Sequence, residues 1–248
     1  MLINNFISKN KIFYFAHRGA PLLKHENTIE SFERAIQLGC DGIEMDIQLT
    51  KDSKIIIFHD DYILYKDTKH YISKLSYFEI KQLCKYKQIT MPPLLEEAIP
   101  IIINNPNIIF NLEIKSTYLN NYYILKTIKA TIPLKLLTKQ CIVSSFNYFL
   151  LLQLNFFLKG IFVGFILKSN QPTNWQKLFI YKKMIKLLKP TFLHLSDQFI
   201  NLDLVKWAQN NKIIVNVYTI NDHKRLDKML RIGINGIFTD NHKFYENN

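Results

Sequence analysis

Cysteine is scarce in this chain. Cys40, Cys84 and Cys141 are an odd, widely spaced set with no CxxC pair and no Cys/His cluster around them. That argues against a disulfide framework and a structural zinc site, and for reduced thiols in a reducing compartment. A secretory leader is also missing: MLINNFISKNK has no basic opening, no long apolar stretch and no small-residue cleavage site. Only 16 residues precede His17, so the expectation is a cytoplasmic chain without a presequence. Long uninterrupted apolar runs are absent as well. Residues 146–167 come nearest, but Asn147, Gln153, Asn155, Lys159 and Gly160 break them up. A buried helix followed by a buried strand is expected there, and no integral membrane segment.

Acidic residues are in short supply too: 20 Asp and Glu face 32 Lys and Arg, a formal charge of +12. Such an excess invites a nucleic-acid or membrane-surface partner. The lysines, however, are scattered among Asn, Ile and Tyr, and cluster densely only from Lys177 to Lys189. That cluster reads as the polar side of one helix. Solvated lysine is therefore expected, with no nucleic-acid partner, and with a positive field that draws in an anionic small molecule.

What is present suits a globular protein. At 248 residues, 48 % apolar and 21 % charged, the chain is long enough for one α/β barrel with a large core. No composition break or internal repeat divides it, so residues 1–248 are expected to form one barrel domain. Eight apolar runs rich in Ile, Val and Phe read as buried parallel strands: 13–17, 42–47, 108–114, 141–146, 161–166, 191–195, 213–219 and 236–240. Helical patterns fill gaps between them, at about 203–211, at about 222–232 before Gly233, and through Ile29, Phe32, Ile36 and Leu38. For the last of these, Asn27 is the expected cap, with Glu30 three residues on and Gly39 at the exit. This is the pattern of a (β/α)8 TIM-type barrel. A ninth run, 55–58, follows strand two too closely for a helical crossover and should pair with it as a short hairpin. Residues 62–107, with Pro92, Pro93, Pro100 and Pro106, read as an excursion before strand three.

Strand alternation locates the chemistry. Glu44 and Asp46 are two apart in GIEMDI and face the same way, as do Asn111, Glu113 and Lys115 in NLEIK. Carboxylates buried inside a barrel need compensation, either from paired lysines or from a hard divalent cation. His17, followed by Arg18-Gly19, ends strand one, and His59 ends the hairpin strand. Strand ends at the C-terminal mouth are where barrel enzymes keep their reactive groups. Two histidines, an arginine able to fork onto phosphate and three carboxylates form a narrow constellation.

FAHRGAP followed by ENTIESFERAIQLGCDGIEMDIQLTKDSKIIIFHDD resembles the N-terminal signature of glycerophosphodiester phosphodiesterases. The likeness continues through MPPLLEEA, NLEIK, SSF, VYTIND and GINGIFTD, over nearly the whole chain. The resemblance implies metal-dependent hydrolysis of a small-molecule glycerophosphodiester to glycerol 3-phosphate and an alcohol, with Mg²⁺ or Ca²⁺. It implies Glu44, Asp46 and Glu113 as metal ligands, and His17 and His59 as the acid/base pair. Arg18 and Lys115 would lie near the phosphate, Asn27 beside the metal or phosphate, and Glu26 in a loop-holding role. The chain departs from the family pattern at Ile63-Leu64-Tyr65-Lys66-Asp67, where Leu-x-Arg-x-Thr is common. It departs again at Tyr218, in place of a tryptophan, where it would give glycerol an aromatic wall, and at Asn241, in place of a proline. A phospholipase D-like or lysophospholipid-directed activity on the same barrel, and a non-catalytic phosphate-ester binder, are the alternatives.

Overall fold

The computed structural model describes residues 12–116, 121–168, 175–198, 200 and 202–246; residues 1–11, on which the presequence expectation rests, lie outside them. In chain order the elements are β1 (Phe13–Ala16), α1 (Ile29–Gln37), β2 (Gly42–Leu49), β3 (Ile55–Ile57), β4 (Tyr62–Tyr65) and β5 (Thr68–Tyr71). Then come α2 (Tyr77–Lys87), α3 (Leu95–Asn104), β6 (Ile109–Ile114), α4 (Tyr122–Thr131), α5 (Leu134–Gln140), β7 (Cys141–Ser145) and α6 (Tyr148–Phe157). β8 (Phe162–Leu167), α7 (Trp175–Leu188), β9 (Phe192–Ser196), α8 (Leu202–Asn210), β10 (Ile214–Tyr218), α9 (His223–Ile232) and β11 (Gly236–Thr239) follow, with short 3-10 turns at Ile72–Lys74 and His242–Phe244.

Eight strands pair in parallel in the order β1-β11-β10-β9-β8-β7-β6-β2, and β2 pairs back onto β1, so the ring closes as a (β/α)8 barrel. All eight expected strands are these, with ends moved by a residue or two. β3 lies outside the ring, antiparallel to β2 with Ile57 opposite Ile47, as the short connection requires.

The core divides as the strand period dictates. Side chains pointing out of the ring pack under the helices, among them Ile43, Met45, Leu112, Val143, Leu193 and Val215. Those pointing in at its base form a separate cluster of Phe13, Phe15, Ile109, Ile142, Phe192, Ile214 and Phe238. Each fully buried side chain of this size stabilises the fold by about 1.5–3 kcal/mol. The excursion carries its own small core of Ile56, Ile63, Ile72, Ile80, Leu83 and Cys84. It is built from the β4–β5 hairpin and two helices, α2 being opened by a Ser76/Glu79 capping box.

Three expectations change. Thr28, not Asn27, caps α1, its hydroxyl accepting the Ser31 N–H at 3.2 Å. Asn27 has a left-handed backbone, φ 56°, and its side chain is committed elsewhere. The helix expected to show a polar side, α7, also exposes Phe179, Ile180 and Leu187. Among the described residues no helix is long and apolar enough to cross a membrane. Residues 146–167 hold α6 and β8; the strand is buried as expected, but α6 buries only its inner side and turns Phe149, Phe156 and Phe157 outward, so the expected buried helix is a surface helix.

Candidate active site

The inward rows of the barrel change from apolar at the base to polar at the mouth. Phe13 and Phe15 lead to His17; Gly42 leads to Glu44 and Asp46; Ile109 leads to Asn111 and Glu113; Ile214 leads to Asn216 and Tyr218. Each step is two residues, so one alternation that fills the base with rings and branched chains also lines the mouth with ionisable groups.

His17 continues the β1 ladder by donating its backbone N–H to Thr239 O at 3.0 Å. The chain then turns sharply through Arg18, φ 57°, and Gly19, φ 90°. A β-carbon on Gly19 would meet Ser31 Oγ at 2.4 Å, so only glycine fits. Ser31 Oγ locks this turn, donating to Arg18 O and accepting the Ala20 N–H. The Arg18 N–H is thereby aimed at Glu44 Oε2, at 3.0 Å. The Arg18 guanidinium reaches Glu26 Oε1 at 2.9 Å and Asp46 Oδ2 at 3.2 Å. Glu26 thus has the loop-holding contact expected of it.

Glu44, Asp46 and Glu113 converge, with one oxygen from each within 4.8 Å of the others. Asp46 accepts from Asn27 Nδ2 at 2.8 Å and returns its backbone N–H to Asn27 Oδ1 at 3.2 Å. Lys115 Nζ bridges Asp46 Oδ1, at 2.9 Å, and Glu113 Oε1. Paired lysine therefore accounts for Asp46 and Glu113. It does not account for Glu44, whose Oε1 is buried with no hydrogen-bond partner.

The local charges fit that picture. Burial pushes the Glu44 carboxyl well above its ordinary pKa, with Asp46 and Glu113 adding to the push. Burial also raises Glu113 against the pull of Lys115. For Asp46 burial acts upward too, but Lys115 and Arg18 outweigh it and hold the group low, with His59 contributing. Three carboxylates face two permanent cations, so the cluster is one positive charge short. An orphaned, buried carboxylate oxygen in an all-oxygen donor set fits a hard divalent cation.

Both histidines are held alike. His17 Nδ1 lies 2.7 Å from Asp240 Oδ1, and its Nε2 faces Glu44 Oε2 at 4.0 Å. His59 Nδ1 lies 2.8 Å from Asp60 Oδ1. A carboxylate only accepts, so each Nδ1 carries a proton and each Nε2 is left free for chemistry. The His59 loop is fixed by Gln48, whose amide donates to Phe58 O and Asp60 O, both at 2.8 Å. Asp240 is itself braced by Asn221, through Nδ2 at 2.7 Å and by accepting the Asp240 N–H at 2.8 Å. Burial works to raise Asp240, but the bond to His17 dominates and holds it below the usual carboxylate range.

Two concavities meet here. An inner cleft is lined by His17, Glu44, Asn111, Glu113, Phe146 and Tyr218, among others. The Tyr218 hydroxyl donates to Leu167 O at 2.7 Å, holding its ring edge-on to Phe146. Beside it a groove of about 670 Å³ runs past Lys115 to Lys51, Asp61, Tyr71, Lys74 and Tyr123. All nine candidate residues come to one mouth or its rim. Asp240, Asn221, Asp60 and Gln48 were not anticipated as site residues. GIFTD and VYTIND had marked where the first two lie, but not what they touch.

A closed barrel with an acidic, histidine-flanked mouth has the layout of a TIM-barrel active site. Residues 17–243 match the model of the glycerophosphoryl diester phosphodiesterase family, and the chain belongs to that family. It is 27 % identical over 235 residues to a glycerophosphodiester phosphodiesterase of Bacillus altitudinis, covering 91 % of this chain and 93 % of that one. Among solved structures, the glycerophosphodiester phosphodiesterase of Thermotoga maritima matches with a TM-score of 0.74 at 25 % identity, covering 96 % and 98 % of the two chains. An Oleispira antarctica phosphodiesterase in complex with the product sn-glycerol-3-phosphate matches with a TM-score of 0.73 at 28 % identity, covering 93 % and 94 %.

Proposed function

We propose that this chain, as a single barrel domain, hydrolyses glycerophosphodiesters to glycerol 3-phosphate and an alcohol in the cytoplasm. Glu44, Asp46 and Glu113 would hold Mg²⁺ or Ca²⁺, which when bound polarises a non-bridging phosphate oxygen and offsets charge in the transition state. The observation that carries the reading is the meeting of two Nδ1-anchored histidines with the carboxylate cluster at one mouth.

The inner cleft, walled by Tyr218 and Phe146, suits the glycerol part, and the groove past Lys115 suits the leaving alcohol. Arg18 and Lys115 supply positive charge beside the phosphate, and Asn27 keeps Asp46 in place. His17, facing the inner cleft, removes a proton through Nε2 from the nucleophile that attacks phosphorus: either water, which gives glycerol 3-phosphate directly, or the glycerol 2-hydroxyl, whose cyclic phosphate water then opens. Its Nδ1–H, held by Asp240, steadies the imidazolium that results. As the phosphorus–oxygen bond to the leaving alcohol breaks, His59, doubly protonated for this step, delivers its Nε2 proton to that oxygen, and the proton gained by His17 passes to solvent.

The test is release of glycerol 3-phosphate from glycerophosphocholine, glycerophosphoethanolamine and glycerophosphoglycerol, with and without chelator. Equimolar glycerol 3-phosphate and alcohol, lost on chelation and restored by Mg²⁺ or Ca²⁺, is the expected result. No release from any of the three would overturn the assignment. The product complex of the Oleispira relative supports the substrate class.

A further inference from the structure

The positive charge of the chain is concentrated in one third of it. Residues 114–196 hold twelve lysines, no arginine, and neither aspartate nor glutamate, so their formal charge equals the +12 of the whole chain. Everything outside that stretch balances to zero. The stretch builds α4, α5, α6 and α7, consecutive helices on the outside of the barrel.

Three of these helices stand side by side. The Tyr122 ring of α4 meets the Phe157 ring of α6 edge-on, with centroids 5.9 Å apart. The α6 residues Tyr148 and Asn155 donate to the α7 carbonyls of Met184, at 3.3 Å, and Leu188, at 2.8 Å. Their inner sides are already committed to the core through Ile128, Leu151, Leu154 and Ile185. Their outer sides are apolar as well. Phe156 is 80 % exposed, Leu187 70 % and Tyr123 66 %, and Phe149, Phe179 and Ile180 are each more than half exposed. Phe149 and Phe156 are seven residues apart, two helical turns, and so share one stripe of α6. Lys126, Lys183 and Lys186 stand exposed among these side chains. Apolar side chains this exposed add little to the fold, and their grouping on three adjoining helices is the feature of an interaction site.

We propose that the α4–α6–α7 face docks on an anionic lipid surface, its aromatic and aliphatic side chains entering the headgroup–acyl boundary and its lysines pairing with lipid phosphates. Charge complementarity selects a polyanion, and the apolar side chains select the lipid among polyanions. An acyl boundary takes up Phe, Leu and Ile, and lysines beside it pair with anionic lipid headgroups. A nucleic-acid face relies on arginine forks and a groove in which bases stack; this face has no arginine and lies on the outside of the helical ring. Tyr123 also lines the groove beside Lys115, so the face runs up to the rim of the candidate active site. The inference does not depend on the reaction assigned above, because its readout is binding.

Co-sedimentation of the full chain with vesicles tests it. Vesicles of equal parts phosphatidylglycerol and phosphatidylcholine should pellet the protein, raised salt should release it, and vesicles of phosphatidylcholine alone should leave it in solution. Each surface lysine is worth about fivefold in affinity for an anionic membrane, so the combined Lys126→Gln, Lys183→Gln, Lys186→Gln variant should bind about 10²-fold more weakly. Combined Phe149→Ser, Phe156→Ser and Leu187→Ser should also abolish pelleting, with the thermal midpoint of both variants unchanged. If either combination lowers the midpoint, the single Lys186→Gln and Phe156→Ser variants replace it. The proposal is overturned if the wild type ignores the anionic vesicles or binds both kinds equally. It is overturned too if either variant binds like the wild type, or if a single-stranded RNA displaces the vesicles.

Discussion

His17 Nδ1 and Asp240 Oδ1 lie 2.7 Å apart, joining residues 223 positions distant in the chain, at the seam where β1 pairs with β11. The pairing leaves the Nε2 of His17 facing the carboxylate cluster, so Asp240 acts through His17 and not on substrate. Asp240→Asn keeps the shape but replaces an anion that stabilises imidazolium with a neutral amide. We expect turnover to fall about 10²-fold or more, with little change in KM. The pH profile of the rate should shift as well. An unchanged profile with a simple loss of folded protein would mean that Asp240 only braces the seam.

The second prediction concerns Glu44. Its Oε1 is buried without a partner, and burial pushes its carboxyl well above the ordinary range. Glu44→Gln removes that buried charge, so in chelator the variant should melt no lower than the wild type. Added Mg²⁺ or Ca²⁺ should raise the wild-type midpoint, because a ligand that binds only the folded state stabilises it. The variant should not respond. Asp46→Asn should lose the metal response as well. A wild-type melting curve indifferent to both ions would defeat the proposed metal site.

Much of this was legible in the sequence, for identifiable reasons. Parallel strands buried on both faces write themselves as apolar runs, and β2 and β6 showed their inward carboxylates because the period is two. The short 50–54 connection dictated the β2–β3 hairpin. Asn27 was misplaced as a helix cap because Asn and Thr are both good caps and stand next to each other. Only the position of Asp46, 19 residues on, decides that Asn27 belongs to the site and Thr28 to the helix. The His17–Asp240 pair depends on closure of the ring, which no local pattern encodes. The lysines of 114–196 stand scattered along the sequence; only the packing of α4, α6 and α7 side by side brings several of them to one face.

A third prediction follows from His194 in the barrel interior. Burial drives its pKa down to about 3, so it stays neutral in the folded protein through mild acid. In the unfolded chain it protonates below about 6.5. Between those values the unfolded state binds the extra proton, so stability rises with pH and is lost on acidification. The slope is up to about 1.4 kcal/mol per pH unit. His194→Gln should remove that slope whatever it does to absolute stability. Followed from neutral pH into mild acid, the wild-type urea midpoint should fall relative to that of the variant, and parallel curves would show that His194 does not govern this limb.

The last prediction divides the work of the two histidines. His17 sits over the inner cleft, braced by Asp240 and, through it, by Asn221. His59 comes from the hairpin side, on a loop fixed by Gln48, with Asp60 at its Nδ1. Neither is needed to hold the cation, since the oxygen cluster supplies the ligands. His17→Ala and His59→Ala should each lower turnover of glycerophosphocholine by about 10²-fold or more, while the metal-induced rise in melting midpoint persists in both. Substrate choice then separates base from acid. A nitrophenyl phosphodiester releases an alcohol acidic enough to leave without a proton, so losing the general acid costs it little, whereas losing the general base costs it as much as any substrate. His59→Ala should therefore recover most of its rate on the nitrophenyl ester, and His17→Ala should not. The opposite pattern would exchange the two roles. Near wild-type rates for both variants on both substrates would remove the acid/base pair from the mechanism.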